Sequence, residues 1–154
     1  MVTAFSASSV RLRAFAKKGE TETAKKSLSF LLPGAEIAEE TLSAEDEGGV
    51  FLSELTVLLA KTAKQREGKE FLARMKAGLG GKARMNLAEE AECRVDEEGN
   101  FFFRIDAHKA AEGKIEPSET GIHVKIKVRA HPKSKATALV KEWLASDAPV
   151  LRRS

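Results

Sequence analysis

Basic side chains alternate with apolar ones in two segments of the sequence, a spacing that suits a polyanion. The alternating cations are Arg11, Arg13, Lys125, Lys127 and Arg129. Residues two apart in a β-strand share one face and lie roughly 7 Å from each other, so like charges at this spacing repel. The phosphates of a nucleic-acid backbone would relieve that repulsion. The pattern therefore predicts two strands with a phosphate-binding face.

Acidic residues elsewhere in the chain offer a second explanation of the same pattern. Glu36, Glu40, Glu54 and Glu92 could lie across the sheet from the cations and neutralise them. The basic faces would then serve solubility alone. The charge pattern leaves both explanations open.

A run of three phenylalanines, Phe101 to Phe103, precedes Arg104 and Ile105. If Phe101, Phe103 and Ile105 face the core of a strand, Phe102 and Arg104 share the outer face. An exposed aromatic ring beside a guanidinium is a platform for stacking a nucleobase. The alternative is that Phe102 lies beneath a helix.

A basic helix is predicted over residues 61–79. Arg66, Lys69 and Lys76 fall on one flank of its helical wheel. Such a flank is usually a solvated surface, but beside the basic strands Arg66 and Lys69 would extend the same patch.

No residue pattern predicts catalysis, a metal site or a cofactor site. His108, His123 and His131 lack metal-ligand spacing with one another and with Cys93. His123 and His131 are predicted to be exposed on the polar face of a strand, and Cys93 to be a buried apolar residue of another strand. The sequence therefore favours a binding protein over an enzyme.

Hydrophobic periodicity predicts the elements that position these residues. Strands are expected over residues 9–17, 36–43, 50–60, 92–96, 100–106 and 122–131. Helices are expected over residues 21–32, 61–79, 83–91, 107–112 and 134–146. Thr21 is a predicted N-cap, and Trp143 is a predicted core residue.

This order of elements predicts an α+β fold: one curved, largely antiparallel or mixed sheet with helices packed on one face. The 154 residues suit a single domain over 1–154, with 1–8 and 147–154 as flexible ends. An uncovered edge strand would allow a homodimer.

Composition indicates a cytoplasmic protein. The single cysteine excludes an intrachain disulfide, and the most apolar segment, Leu52–Ala60, is too short to cross a bilayer. The net charge is only +3, but acidic and basic segments alternate along the chain. A fold could therefore collect the basic segments on one side.

Several segments in this order resemble an archaeal family of predicted RNA-binding proteins, also described as predicted exosome subunits. They are the SVRLRAF strand at residues 9–15, the helix with Arg66, the hairpin RVDEEGNFFFRID at 94–106, and the VKIKV strand at 124–128. The resemblance spans about residues 8–145. It implies the fold of the ribosomal protein that binds 5S rRNA, and RNA binding without catalysis.

Two functional hypotheses follow. The first is a non-catalytic RNA-binding protein whose contacts are Arg11, Arg13, Arg66, Lys69, Phe102, Arg104, Lys125, Lys127 and Arg129. Its context would be RNA processing, the exosome or the ribosome. The second is a protein-interaction subunit of a larger RNA-processing complex, without direct RNA contact.

Overall fold

The computed structural model describes residues 7–45 and 51–145, and these form a five-stranded sheet and six helices. The strands are β1 (Ala7–Lys17), β2 (Ile37–Glu45), β3 (Phe51–Lys61), β4 (Asn100–Ile105) and β5 (Ile122–Val128). The helices are α1 (Thr21–Leu31), α2 (Gln65–Gly78), α3 (Gly81–Glu89), α4 (Ala91–Arg94), α5 (Ala107–Ala111) and α6 (Lys133–Ala145). The acidic, glycine-rich residues 45–49 predict a turn between β2 and β3, and this segment lies largely outside the described residues.

The sheet has the strand order β2-β3-β1-β5-β4, and every neighbouring pair is antiparallel. In the register of β1, Leu12 lies opposite Ala60 on one side and Val124 on the other. The predicted α+β class is confirmed, and the sheet is antiparallel rather than mixed.

One face of the sheet carries the core. Leu12, Leu58, Phe103 and Val124 are buried and alternate with residues that point to the other face, as the strand period requires. Helices α1 and α2 pack against this face and complete the hydrophobic core with Leu28, Leu31, Phe71 and Met75. Burying each large apolar side chain contributes about 1.5–3 kcal/mol, so this face is strongly specified. None of the helices in residues 7–45 and 51–145 forms a layer on the opposite face.

The connection between β3 and α2 explains why the predicted helix 61–79 begins late. Thr62 donates its backbone N–H to the Val10 carbonyl at 3.0 Å and accepts from Val10 N–H through Oγ1 at 3.1 Å. These bonds hold the chain in the sheet through Lys61. Glu67 then accepts from the N–H groups of Ala63 and Lys64 at the start of α2.

Residues 92–96, predicted as a strand, form the short helix α4 instead, and only Val95 bridges to Phe101. Cys93 donates its backbone N–H to the Glu90 carbonyl and is exposed. The prediction of a buried strand cysteine is therefore wrong. The apolar alternation over these five residues is too short to define a strand, so local helical hydrogen bonds determine their conformation.

The hairpin loop before β4 is held by Asp96. Its carboxylate accepts from the backbone N–H groups of Glu98 and Asn100, each at 2.9 Å, and from the Asn100 amide at 3.1 Å. Gly99 adopts φ +84°, a left-handed conformation that glycine tolerates and other residues rarely adopt. The Gly99 carbonyl accepts from Val128 N–H and so ties the loop to the end of β5.

Three further predictions need correction. The strand predicted over 122–131 ends at Val128. Helix α1 has Glu20 as its N-cap residue, and Thr21 is already helical. Trp143 is half-buried against the core rather than within it. Among the residues described, no helix is long and apolar enough to cross a membrane.

Candidate nucleic-acid interface

The face of the sheet on which no described helix packs, called the open face below, collects cations from four neighbouring strands. Arg11 in β1 lies opposite Lys61 of β3 and Lys125 of β5, and Lys125 lies opposite Phe102 of β4. These four side chains form one row across the strands. Neighbouring strands are about 4.8 Å apart, so the row is compact.

A second row lies beside the first. Arg13 is opposite Leu59 in β3 and His123 in β5, and His123 is opposite Arg104 in β4. Together the two rows form a cationic patch, defined as Arg11, Arg13, Lys61, Arg104 and Lys125. Lys125 is half-buried and the other four are exposed.

Ion pairs do not neutralise the cationic patch within the described part of the chain. Glu92, one of the predicted neutralising acids, instead lies 3.3 Å from Lys141 on α6. Glu40 lies in β2 opposite Val57 of β3, and Glu36 directly precedes β2; neither is in an ion pair with a cation of the patch. The side chain of Glu54 lies outside the description. The patch is therefore available to an anionic ligand.

Phe102 lies on the open face and stacks on His123. The ring centroids are 5.3 Å apart and the planes are inclined by 19°. Phe102 does not lie beneath a helix, and Arg104 shares its face, as the first reading of the phenylalanine run predicted. His123 is half-buried by this contact, whereas it was predicted to be exposed.

The electrostatic setting of His123 disfavours its charged form. Burial lowers the pKa of His123, and the neighbouring cations Arg104, Arg13 and Lys125 lower it further. The imidazole is therefore neutral above its ordinary pKa of 6.5 and offers a flat ring between charged neighbours.

A concavity of about 720 Å³ lies over this part of the sheet. Four residues of the cationic patch line this concavity: Arg11 and Arg13 in β1, Lys61 at the end of β3, and Lys125 in β5. Phe102 and His123 complete its floor, while residues 34–38 form its wall.

The other predicted contacts lie apart from this concavity. Lys127 is on the open face opposite Ser9 and Asn100. Arg129 follows the end of β5. The two terminal nitrogens of its guanidinium donate to the side-chain amide oxygen of Gln65 at 3.1 and 3.3 Å. Arg66 and Lys69 are exposed on α2 but do not line the concavity.

Two residues of the site were missed in the sequence. Lys61 was assigned to a helix, although it continues the alternation of β3. His123 was set aside as an exposed histidine, although its place opposite Arg13 and Arg104 depends on a register that no local pattern reveals.

The described residues define an α+β protein whose antiparallel sheet carries helices on one face and a group of cations on the other. The chain belongs to the protein family described as RNA binding, whose model matches residues 9–130. It is 34% identical over 148 residues to "RNA-binding protein PAB1135" of Pyrococcus abyssi, a match that covers 92% of this chain and 96% of that protein.

Solved structures have the same fold. Mth689 of Methanothermobacter thermautotrophicus, a DUF54 protein, is 30% identical with a TM-score of 0.71, covering 90% of this chain and 98% of its own. AF2318 of Archaeoglobus fulgidus is 24% identical with a TM-score of 0.71, covering 89% of this chain and 99% of its own.

Proposed function

We propose that this protein binds RNA through the cationic patch and catalyses no reaction on it. The observation that carries the proposal is the register that sets Arg11 between Lys61 and Lys125, without ion-pairing acids among the described residues. Holding these cations together is costly until phosphates neutralise them. The family and the Pyrococcus relative, both described as RNA-binding, support the proposal.

The contacts divide by chemistry. Arg11, Arg13, Lys61 and Lys125 bind phosphate oxygens, and Arg can do so with two parallel hydrogen bonds. The Phe102–His123 pair, flanked by Arg104, stacks a base. Lys127, Arg66 and Lys69 contribute only long-range attraction. An exosome or ribosome context, and a homodimer, stay predictions without a structural basis here.

The test is fluorescence-anisotropy binding of labelled RNA across a salt series. Neutralising about five phosphates predicts a log–log slope of roughly −3 to −5. The triple variant Arg11→Ala, Arg13→Ala, Lys125→Ala should lose most of the affinity and about three units of slope. The matched control, Arg66→Ala, Lys69→Ala, Lys82→Ala, removes the same charge from exposed helix positions and should change both far less.

A salt-independent signal, or equal losses in the two triple variants, would refute the proposal. The competing function is a protein-interaction subunit without direct RNA contact. It predicts no RNA binding by the purified chain, and a bound protein that survives nuclease treatment in a pull-down.

A further inference from the structure

The open face also carries an apolar patch, defined as Phe15, Leu42, Leu55, Val57 and Leu59. Phe15, Leu42 and Leu59 are 49%, 48% and 40% exposed, and Leu55 and Val57 are half-buried between them. The register makes the patch continuous: Phe15 lies opposite Val57, and Leu42 lies opposite Leu55. Exposed large apolar side chains gathered on one face mark a binding surface rather than chance exposure.

The apolar patch and the cationic patch meet at Arg13. Arg13 lies opposite Leu59, and its guanidinium carbon is 5.9 Å from the centroid of the Phe15 ring. This is a cation–π contact, so the guanidinium lies against the aromatic surface. A ligand that touches one patch at this border therefore touches the other.

We propose that the open face binds single-stranded RNA, with phosphates on the cationic patch and unstacked bases on the apolar patch and on the Phe102–His123 pair. The proposal rests on the RNA-binding function proposed above and specifies its substrate. An A-form duplex presents phosphates and riboses, and its base faces are hidden in the stack. It would leave Phe15 and Leu59 without a partner. A single strand offers base faces and phosphates together.

The geometry of the border suggests how two nucleotides would lie. Phe15 follows Arg13 by two residues in β1, and His123 faces Arg13 from β5. Arg13 thus occupies the corner between two stacking surfaces that are roughly 8 Å apart along the sheet diagonal, given the strand and residue spacings. It is placed to bind the phosphate that links a base on Phe15 to a base on the Phe102–His123 pair.

Charge around the apolar patch favours an anionic ligand over a second copy of the chain. The described border holds the cations Arg13, Lys17 and Lys61 and the acid Glu40. A two-fold dimer would set two such borders, each with three cations and one acid, against each other, so net positive charge would face net positive charge. Glu40 lies on the β2 side, which directs an RNA strand across β3, β1, β5 and β4.

The test compares short oligouridylate, an oligomer of abasic ribose phosphates and an RNA duplex of equal length by fluorescence anisotropy. We expect oligouridylate to bind most tightly. Phe15→Ala should weaken oligouridylate at least about fivefold, with little change in the salt slope, because it removes stacking and leaves the phosphate contacts. Met85→Ala, which truncates an exposed apolar residue on α3, is the control and should have no effect.

The outcomes separate the two proposals. If no probe binds in a salt-dependent way, the RNA-binding function itself fails. If RNA binds but the duplex or the abasic oligomer competes equally, or Phe15→Ala has no effect, only the single-strand proposal is overturned. Sedimentation of a dimer that Phe15→Ala converts to a monomer would assign the patch to self-association and overturn it as well.

Discussion

The ring of Phe102 in β4 stacks on the imidazole of His123 in β5, with centroids 5.3 Å apart and planes inclined by 19°. Each partner belongs to one of the two cation-bearing rows: Lys125 lies opposite Phe102, and Arg104 lies opposite His123. The open face therefore has an aromatic platform with a cation beside each ring. Five predictions concern this platform and the loops that hold β4 and β5 in register.

Phe102→Ala should weaken binding of single-stranded RNA by about 1–3 kcal/mol, because it removes a stacking surface. Phe102 is half-exposed, so the melting temperature should change little. Phe102→Tyr keeps the ring and should bind like the wild type. Anisotropy titrations of the two variants at one salt concentration make the comparison. Equal affinities of Phe102→Ala and the wild type would exclude base stacking at this site.

The stability of the fold should rise with pH around the titration of His123. Burial, with Arg104, Arg13 and Lys125, lowers the pKa of His123 below its ordinary value of 6.5. The unfolded chain binds the proton more readily, so this stability is complete above pH 6.5 and is lost as pH falls through the folded pKa. Urea unfolding of the wild type and His123→Gln over this window tests it. The variant should show a flatter pH profile.

RNA should raise the pKa of His123, because a phosphate near the ring favours the imidazolium and screens Arg104 and Arg13. By linkage, the affinity for RNA should fall as pH rises from the pKa of His123 in the free protein to its higher pKa in the complex. NMR titration of the histidine ring protons with and without RNA measures the shift directly. The exposed His108, outside the open face, serves as the internal control. A pKa of His123 that RNA leaves unchanged would place the phosphates elsewhere.

Gly121→Ala should destabilise the protein by at least about 1–3 kcal/mol, because a Cβ there would overlap the Ile105 carbonyl oxygen, a backbone atom. The clash falls where β4 pairs with the start of β5, so it should also disturb the His123–Arg104 pairing. Gly81→Ala, in the first turn of α3, meets no atom within 4 Å and should be neutral or slightly stabilising. Thermal melting of the two variants tests this prediction, and equal melting temperatures of Gly121→Ala and Gly81→Ala would contradict the expected clash.

Asp96→Ala should cost about 1–3 kcal/mol, because it leaves the N–H groups of Glu98 and Asn100 without their acceptor. Burial acts to raise the pKa of Asp96, but hydrogen bonds from Asn100 and Glu98, aided by Lys125, lower it overall. The associated stability is present above pH 3.8 and is lost as pH falls below it. Acid unfolding of the wild type and Asp96→Ala tests both points. A variant that unfolds at the same pH as the wild type would refute them.

Much of the fold could be read from local patterns. The alternation in residues 9–17 and in most of 122–131 identified β1 and β5, because a sheet with one buried face requires a period of two. The ends of α1 and α5 were predicted to within one residue, since Pro33 follows the predicted helix 21–32 and Gly113 follows the predicted helix 107–112. The prediction was wrong for a short segment. Residues 92–96 contain too few alternating residues to define a strand, and helical hydrogen bonds form α4 there instead.

The sequence by itself determined that Arg11, Arg13 and Lys125 face outward from their strands, whereas it left the direction of Phe102 and Arg104 open, and the structure places both on the open face. The tertiary structure alone decided which of them are neighbours. Strand order and register bring Arg11 between Lys61 and Lys125, and stack Phe102 on His123. They also leave Arg129 against Gln65, beyond the end of β5. The physical reason is that side-chain direction follows from the backbone of one strand, whereas neighbours across a sheet depend on packing of distant segments around a common core.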